Sequence, residues 1–153
     1  MISLTGEYAL RAMARVAQLE PGQYVLVRDI GKELDIPAGY LGKVMLTLTR
    51  AGLLESQRGR NGGFRLSKPA RAIKLYDILS AAEPVKKYES CLLGQKICCD
   101  ETACPIHFEW KAARGKVVDL LKETPLTSLA EHRSHLKPAD LIPRTKKPRA
   151  ARK

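Results

Sequence analysis

No stretch of the 153 residues is apolar for long enough to span a bilayer. Glu7, Arg11 and Arg15 interrupt the opening run MISLTGEYALRAMARVAQ, which argues against a secretory signal as well. A cytoplasmic location is therefore expected, in which thiols stay reduced. The chain lacks a phosphate-cradling glycine loop and a paired acid and base, so nothing supports an enzyme. Cysteine is absent before residue 91 and after residue 104. Acids are few against bases, 16 to 27, giving a formal charge of +11 and a pI of about 9.7. That imbalance points to a polyanionic partner, most often nucleic acid. The last ten residues carry six Lys or Arg and no acid; without them the charge falls from +11 to +5, so the body stays basic.

What the chain does contain begins with helices. Ala9, Leu10, Met13, Val16 and Ala17 recur at helical spacing between Thr5 and Leu19, and Pro21-Gly22 stops that run. A short helix is expected over Val27–Leu34, then a turn at Asp35-Ile36-Pro37, then a helix from Ala38 to Ala51 with Gly52 as its cap. On the last helix Leu41, Val44, Met45 and Leu48 share one face, with Gly39, Lys43, Leu46, Thr47 and Arg50 opposite. This is the pattern of a helix-turn-helix. The following segment, LLESQRGRNGGFRL, reads as two short strands around Asn61-Gly62, a hairpin in the position of a wing. DNA is expected to meet Arg28, Gly39, Tyr40, Lys43, Thr47 and Arg50 on the helices, and Arg58, Arg60, Asn61 and Gly62 at the wing.

A further helix is expected from Ile73 to Ala81, closed by Pro84. A long helix from Ile106 to Lys122 carries Ile106, Trp110, Ala113, Val117, Leu120 and Leu121 as a narrow seam suited to a partner helix. Leu126, Leu129 and Leu136 continue a weaker apolar pattern, and beyond Pro138 the basic tail is expected to be disordered. The fold class is mainly α with a small β-hairpin: a winged helix-turn-helix DNA-binding domain plus a long C-terminal dimerisation helix. The segments are 1–83 for DNA binding, 84–105 for a cysteine loop, 106–136 for dimerisation and 137–153 for the tail.

All four cysteines and one of three histidines fall in CLLGQKICCDETACPIH, 17 residues long. Thiolates and imidazole suit an iron–sulfur cluster or zinc. Spacing C-x6-C-x5-C-x2-H names Cys91, Cys98, Cys104 and His107; Cys99 gives C-x7-C-x4-C instead. The close C-x2-C pairs of common zinc modules are missing, although a Cys3His zinc site or a metal-free thiol sensor fits the same residues. His132 and His135 lie three apart on an expected helix, as a lone pair.

Four stretches together resemble the Rrf2 family of dimeric, bacterial winged-helix transcription regulators. They are LTGEYALRAM, GYLGKVMLTLTRAGLLESQRGRNGGFRLSKP, CLLGQKICCDETACPIHFEWKAAR and TPLTSLAEH, and the likeness covers residues 1 to about 133. The resemblance implies an iron–sulfur cluster on Cys91, Cys98 and Cys104. IscR-like members add a histidine, here His107, around a 2Fe–2S centre. NsrR-like members borrow a carboxylate from the partner's first helix, here Glu7, around a 4Fe–4S centre. Gly42 stands where the IscR type has the glutamate that switches between two DNA site classes, a departure from the family pattern. The expected protein is a homodimeric regulator, in the sense of a repressor, that binds a double-stranded operator. It would sense iron, redox state or nitric oxide, and it would take no small-molecule substrate and no membrane.

Overall fold

The computed structural model describes residues 2–59, 62–84, 90–96 and 99–131. Arg60, Asn61, Cys98, His132, His135, Leu136 and the basic tail lie outside the described residues.

Helix α1 spans Leu4–Val16, with the Ser3 side chain accepting from the Gly6 N–H as its cap. It stops three residues before the expected end, and the Pro21–Gly22 turn follows, with Gly22 at φ 84°. Helix α2 is Val27–Leu34 and α3 is Ala38–Arg50. Strands β1 (Leu54–Gln57) and β2 (Gly63–Leu66) pair antiparallel, Leu54 opposite Leu66. A single 3-10 turn at Ala70–Ala72 leads to α4, Leu75–Ala82. A second, Asp100–Thr102, precedes the 17-residue α5, His107–Glu123, and the short α6, Thr127–Ala130. The mainly helical fold with one hairpin is as the sequence led one to expect.

The core is one cluster. Met13, Ile30, Leu41, Met45, Leu48, Ile73, Ile78, Leu79 and Leu126 are fully buried within it. Ala9 and Ala12 on α1 let neighbouring helices approach closely. The helix-turn-helix bend rests on two positions. Asp35 adopts the left-handed conformation at φ 53°, and the Ile36 N–H returns to the Gly31 carbonyl at 2.8 Å. Gly31 has no room for a side chain, since a β-carbon there would sit 2.7 Å from the Ile36 carbonyl oxygen. Arg11 of α1 then reaches across to the Leu34 carbonyl, 2.6 Å away, at the end of α2. Burial of that guanidinium pushes its pKa down, against the opposing pull of Glu7.

The chain after α5 returns to the body rather than running on as a separate arm. Lys74 and Pro125 form an isolated antiparallel bridge, the Leu126 N–H donates to Ile73, and the Gln18 amide donates to the Ala130 carbonyl. Val118 and Leu121 of α5 and Leu126 join the same core.

Candidate nucleic-acid interface and cysteine loop

Helix α3 buries Leu41, Val44, Met45 and Leu48, so its other side must face outward. Gly39, Tyr40, Lys43, Leu46 and Arg50 are exposed there, with Gly42 and Thr47 half-buried beside them. Lys43, Arg50 and Arg58 have no ion-pair partner among the described residues. Two other cations are paired, Arg15 with Glu33 and Arg65 with Glu55 at 2.7 Å, whereas Lys32, Lys68 and Arg71 also lack an ion-pair partner among the described residues. Unpaired cations on one face keep their charge for an external anion. Arg28 is exposed and only loosely matched by Asp29 at 3.4 Å. Two expected contacts are partly committed elsewhere. The Tyr40 hydroxyl is 2.5 Å from that of Thr5, with the ring edge-on to Tyr8. The Thr47 hydroxyl donates to the Lys43 carbonyl of its own helix at 3.0 Å.

In the wing β1 ends at Gln57 opposite Gly63 of β2, and the Gly62 N–H closes on the Gly59 carbonyl at 3.1 Å. Gly59 has φ 108° and Gly63 φ 134°. A β-carbon at Gly62 would strike the Gln57 carbonyl, and one at Gly63 would strike that of Val25. The latter contact exists because Val25 and Phe64 exchange both backbone hydrogen bonds, at 3.0 and 2.9 Å. Val25, two residues ahead of α2, thus fixes where the wing stands.

The cysteine loop leans on α5. The Trp110 indole N–H donates to the Ser90 carbonyl at 3.0 Å, with Arg114 adding a longer contact. At the other end Asp100 takes His107 Nε2 at 2.8 Å and Lys111 Nζ at 2.8 Å. Lys111 first, then His107, holds the Asp100 carboxyl below the usual carboxylate range. His107 opens α5 and is 2% exposed; its N–H returns to the Cys104 carbonyl. Cys91 is 7% exposed, Cys104 is half-buried, and Cys99 Sγ lies 3.1 Å from the Thr102 hydroxyl. No disulfide joins these three thiols. Glu7, the alternate donor, is in the first turn of α1 and 3.8 Å from Arg11.

Three thiols and an imidazole are chemically matched to an iron–sulfur or zinc centre. The described residues do not bring three such donors together, and Cys98 falls outside them. Asp100, Lys111 and the Trp110–Ser90 contact were not foreseen from the sequence. The His107–Lys111 spacing of four, which puts both on one face of α5, was the available signal. The expected seam on α5 divides. Of its residues Leu121 faces the core, beside Val118, which the seam did not include; Trp110 and Val117 are half-buried, whereas Ala113, Leu120 and Ile106, just ahead of α5, are exposed. Adjacent residues are about 100° apart on a helix, so Leu120 and Leu121 cannot share a stripe.

A three-helix body with a short turn, an exposed basic helix and a hairpin wing defines a winged helix-turn-helix DNA-binding protein. Residues 2–132 match the Rrf2 family, described as an iron-dependent transcriptional regulator, and the chain belongs to that family. A protein of Aquifex aeolicus named as an HTH-type transcriptional regulator is 34% identical over 131 residues, covering 84% of this chain and 90% of the relative. Among solved structures, oxidised CymR of Staphylococcus aureus is 32% identical, with a TM-score of 0.69 over 86% of this chain and 97% of that one. IscR of T. potens shares the fold, with a TM-score of 0.70, 22% identity and coverage of 94% and 93%. The chain is thus a transcriptional regulator of the Rrf2 type, not an enzyme. Among the described residues no helix is long and apolar enough to cross a membrane.

Proposed function

We propose that two copies of this chain bind a double-stranded operator and respond through an iron–sulfur cluster. Cys91, Cys98 and Cys104 would hold it, with His107 as fourth ligand, or Glu7 of the partner subunit in its place. A bound cluster supplies redox and ligand-exchange chemistry that iron supply, oxidants or nitric oxide can reach. The observation that carries the reading is where the loop is fastened. Ser90 and Asp100 are pinned to α5, the same helix whose Ala113 and Leu120, with Ile106 just ahead of it, are exposed among the described residues. A loop rearranged at those anchors bears directly on the helix that pairs two copies. Pairing sets the spacing of two recognition helices, and hence half-site fit. The response requires only that the two loop states differ in operator affinity.

In this assignment α3 enters the major groove through Lys43, Thr47 and Arg50, flanked by Gly39 and Tyr40. Arg28 supports it from α2, and Arg58, Arg60, Asn61 and Gly62 approach flanking backbone or minor groove. A thiol-based regulator is the second reading. It is favoured by the likeness to a structure titled as an oxidised form. Anaerobic purification with iron, sulfide and zinc analysis separates the readings. Iron and sulfide in equal amounts are expected. Zinc alone, or no metal with an oxidant-dependent disulfide, overturns the cluster.

A further inference from the structure

Leu46 is a large apolar residue in the middle of the polar outer face of α3, and it is 47% exposed. A single exposed leucine is ordinary; its surroundings here are not. Gly39, Lys43, Leu46 and Arg50 follow one another by four, three and four residues, so they form one line along the helix. Lys43 and Arg50 stand one turn to either side of Leu46. Both lack ion-pair partners among the described residues.

The two glycines on this face add an independent observation. A β-carbon at Gly39 or at Gly42 would meet nothing within 4 Å. The fold of the chain therefore does not require either glycine, although Gly42, inside the helix, weakens it by about 0.5–1 kcal/mol relative to alanine. The space they leave opens outward, next to Leu46. Small residues there let the helix settle deeper against a surface that it meets, and this brings Leu46 to the floor of that surface.

On the floor of a major groove, hydrogen-bonding groups offer nothing to a leucine. The apolar group available on an unmodified base pair is the C5-methyl of thymine. We propose that Leu46 is a specificity-determining residue that reads one thymine methyl per half-site. The proposal rests on α3 being the recognition helix. Lys43 and Arg50 anchor the line to phosphates, and Leu46 supplies discrimination that charge cannot.

The test uses the full chain and an operator selected by it from a pool of random duplexes. Each thymine is then replaced by deoxyuridine, which removes the methyl and keeps the pairing. At one thymine per half-site the replacement is expected to weaken binding about fourfold, the worth of one buried methylene-sized group. Leu46→Ala should bind the thymine duplex more weakly and be indifferent to uridine at that position. Its melting temperature should match the parent, because the side chain is not in the core. If no thymine shows a methyl effect that Leu46→Ala abolishes, while Lys43→Ala still weakens binding, the Leu46 role is overturned and α3 stands. If Lys43→Ala and Arg50→Ala both bind normally, α3 is not the recognition helix and the proposal falls with it.

Discussion

Gly31 shows how a single missing side chain holds the DNA-reading bend in shape. In an ordinary helix interior, glycine to alanine gains close to 1 kcal/mol. Here the added methyl meets the Ile36 backbone 2.7 Å away, and backbone cannot swing aside as a side chain does. Gly31→Ala is expected to lower stability by about 1–3 kcal/mol, seen as a drop in the urea midpoint at unchanged slope. Arg58 offers the complementary case, in which a residue matters for binding and hardly for folding. It is exposed and unpaired among the described residues. Arg58→Ala should weaken operator binding by about 1–3 kcal/mol. Its salt dependence should become shallower by about 0.9 in log–log slope if a phosphate contact is lost. Equal affinity and slope in titrations at several salt concentrations would remove Arg58 from the interface.

At the scale of elements, the wing and α2 are one mechanical unit. Two backbone hydrogen bonds join Val25 to Phe64, and Gly63 at φ 134° allows the strand to pass that close. Gly63→Ala adds strain of about 1–3 kcal/mol in a region that side chains rarely adopt. Its carbon would also strike the Val25 carbonyl. The wing should swing away while the α1–α4 core remains. The expected signature is a large loss of operator affinity with a small change in helical circular dichroism. Hydrogen exchange should speed up at Val25 and Phe64 first. Protection unchanged at both would show that the wing stands without this joint. The cysteine loop has its own fastening, through Trp110 to Ser90 and through His107 and Lys111 to Asp100, all on α5.

The whole molecule is organised by what α5 does on its two sides. Val118 and Leu121 close the core of their own chain, and Ile106, Ala113 and Leu120 are exposed among the described residues. A repeat of seven on one stripe suits a second helix. Leu120→Glu should therefore leave the melting temperature of the isolated chain nearly unchanged and shift sedimentation from dimer to monomer. Operator affinity should fall with it, since two half-sites would no longer be bound together. A dimer that persists with Leu120→Glu would place the contact elsewhere. The position of α5 also accounts for the chain returning through the Lys74–Pro125 bridge, which docks the end of the helix on the start of α4.

Local pattern was enough for the parts of this protein governed by neighbours in sequence. The Val27–Leu34 helix, the turn at Asp35-Ile36-Pro37 and the buried face of α3 follow from periods of three and four residues and from cap chemistry. The pairing of strands around a glycine-rich turn follows from the same kind of signal. Tertiary structure decided what depends on distant partners. Glu83 accepts from the Ser3 N–H across 80 residues, and Val25 claims the wing. Asp100 turns toward α5, and one side of a single apolar seam is taken by the core. Such contacts need loops to close in three dimensions, and each residue involved is compatible with several partners until the core has chosen one. The sequence alone therefore determined the architecture and the exposed, basic face of α3. The packing determined which cations stay unpaired, which leucine faces outward and which helix carries the cysteine loop.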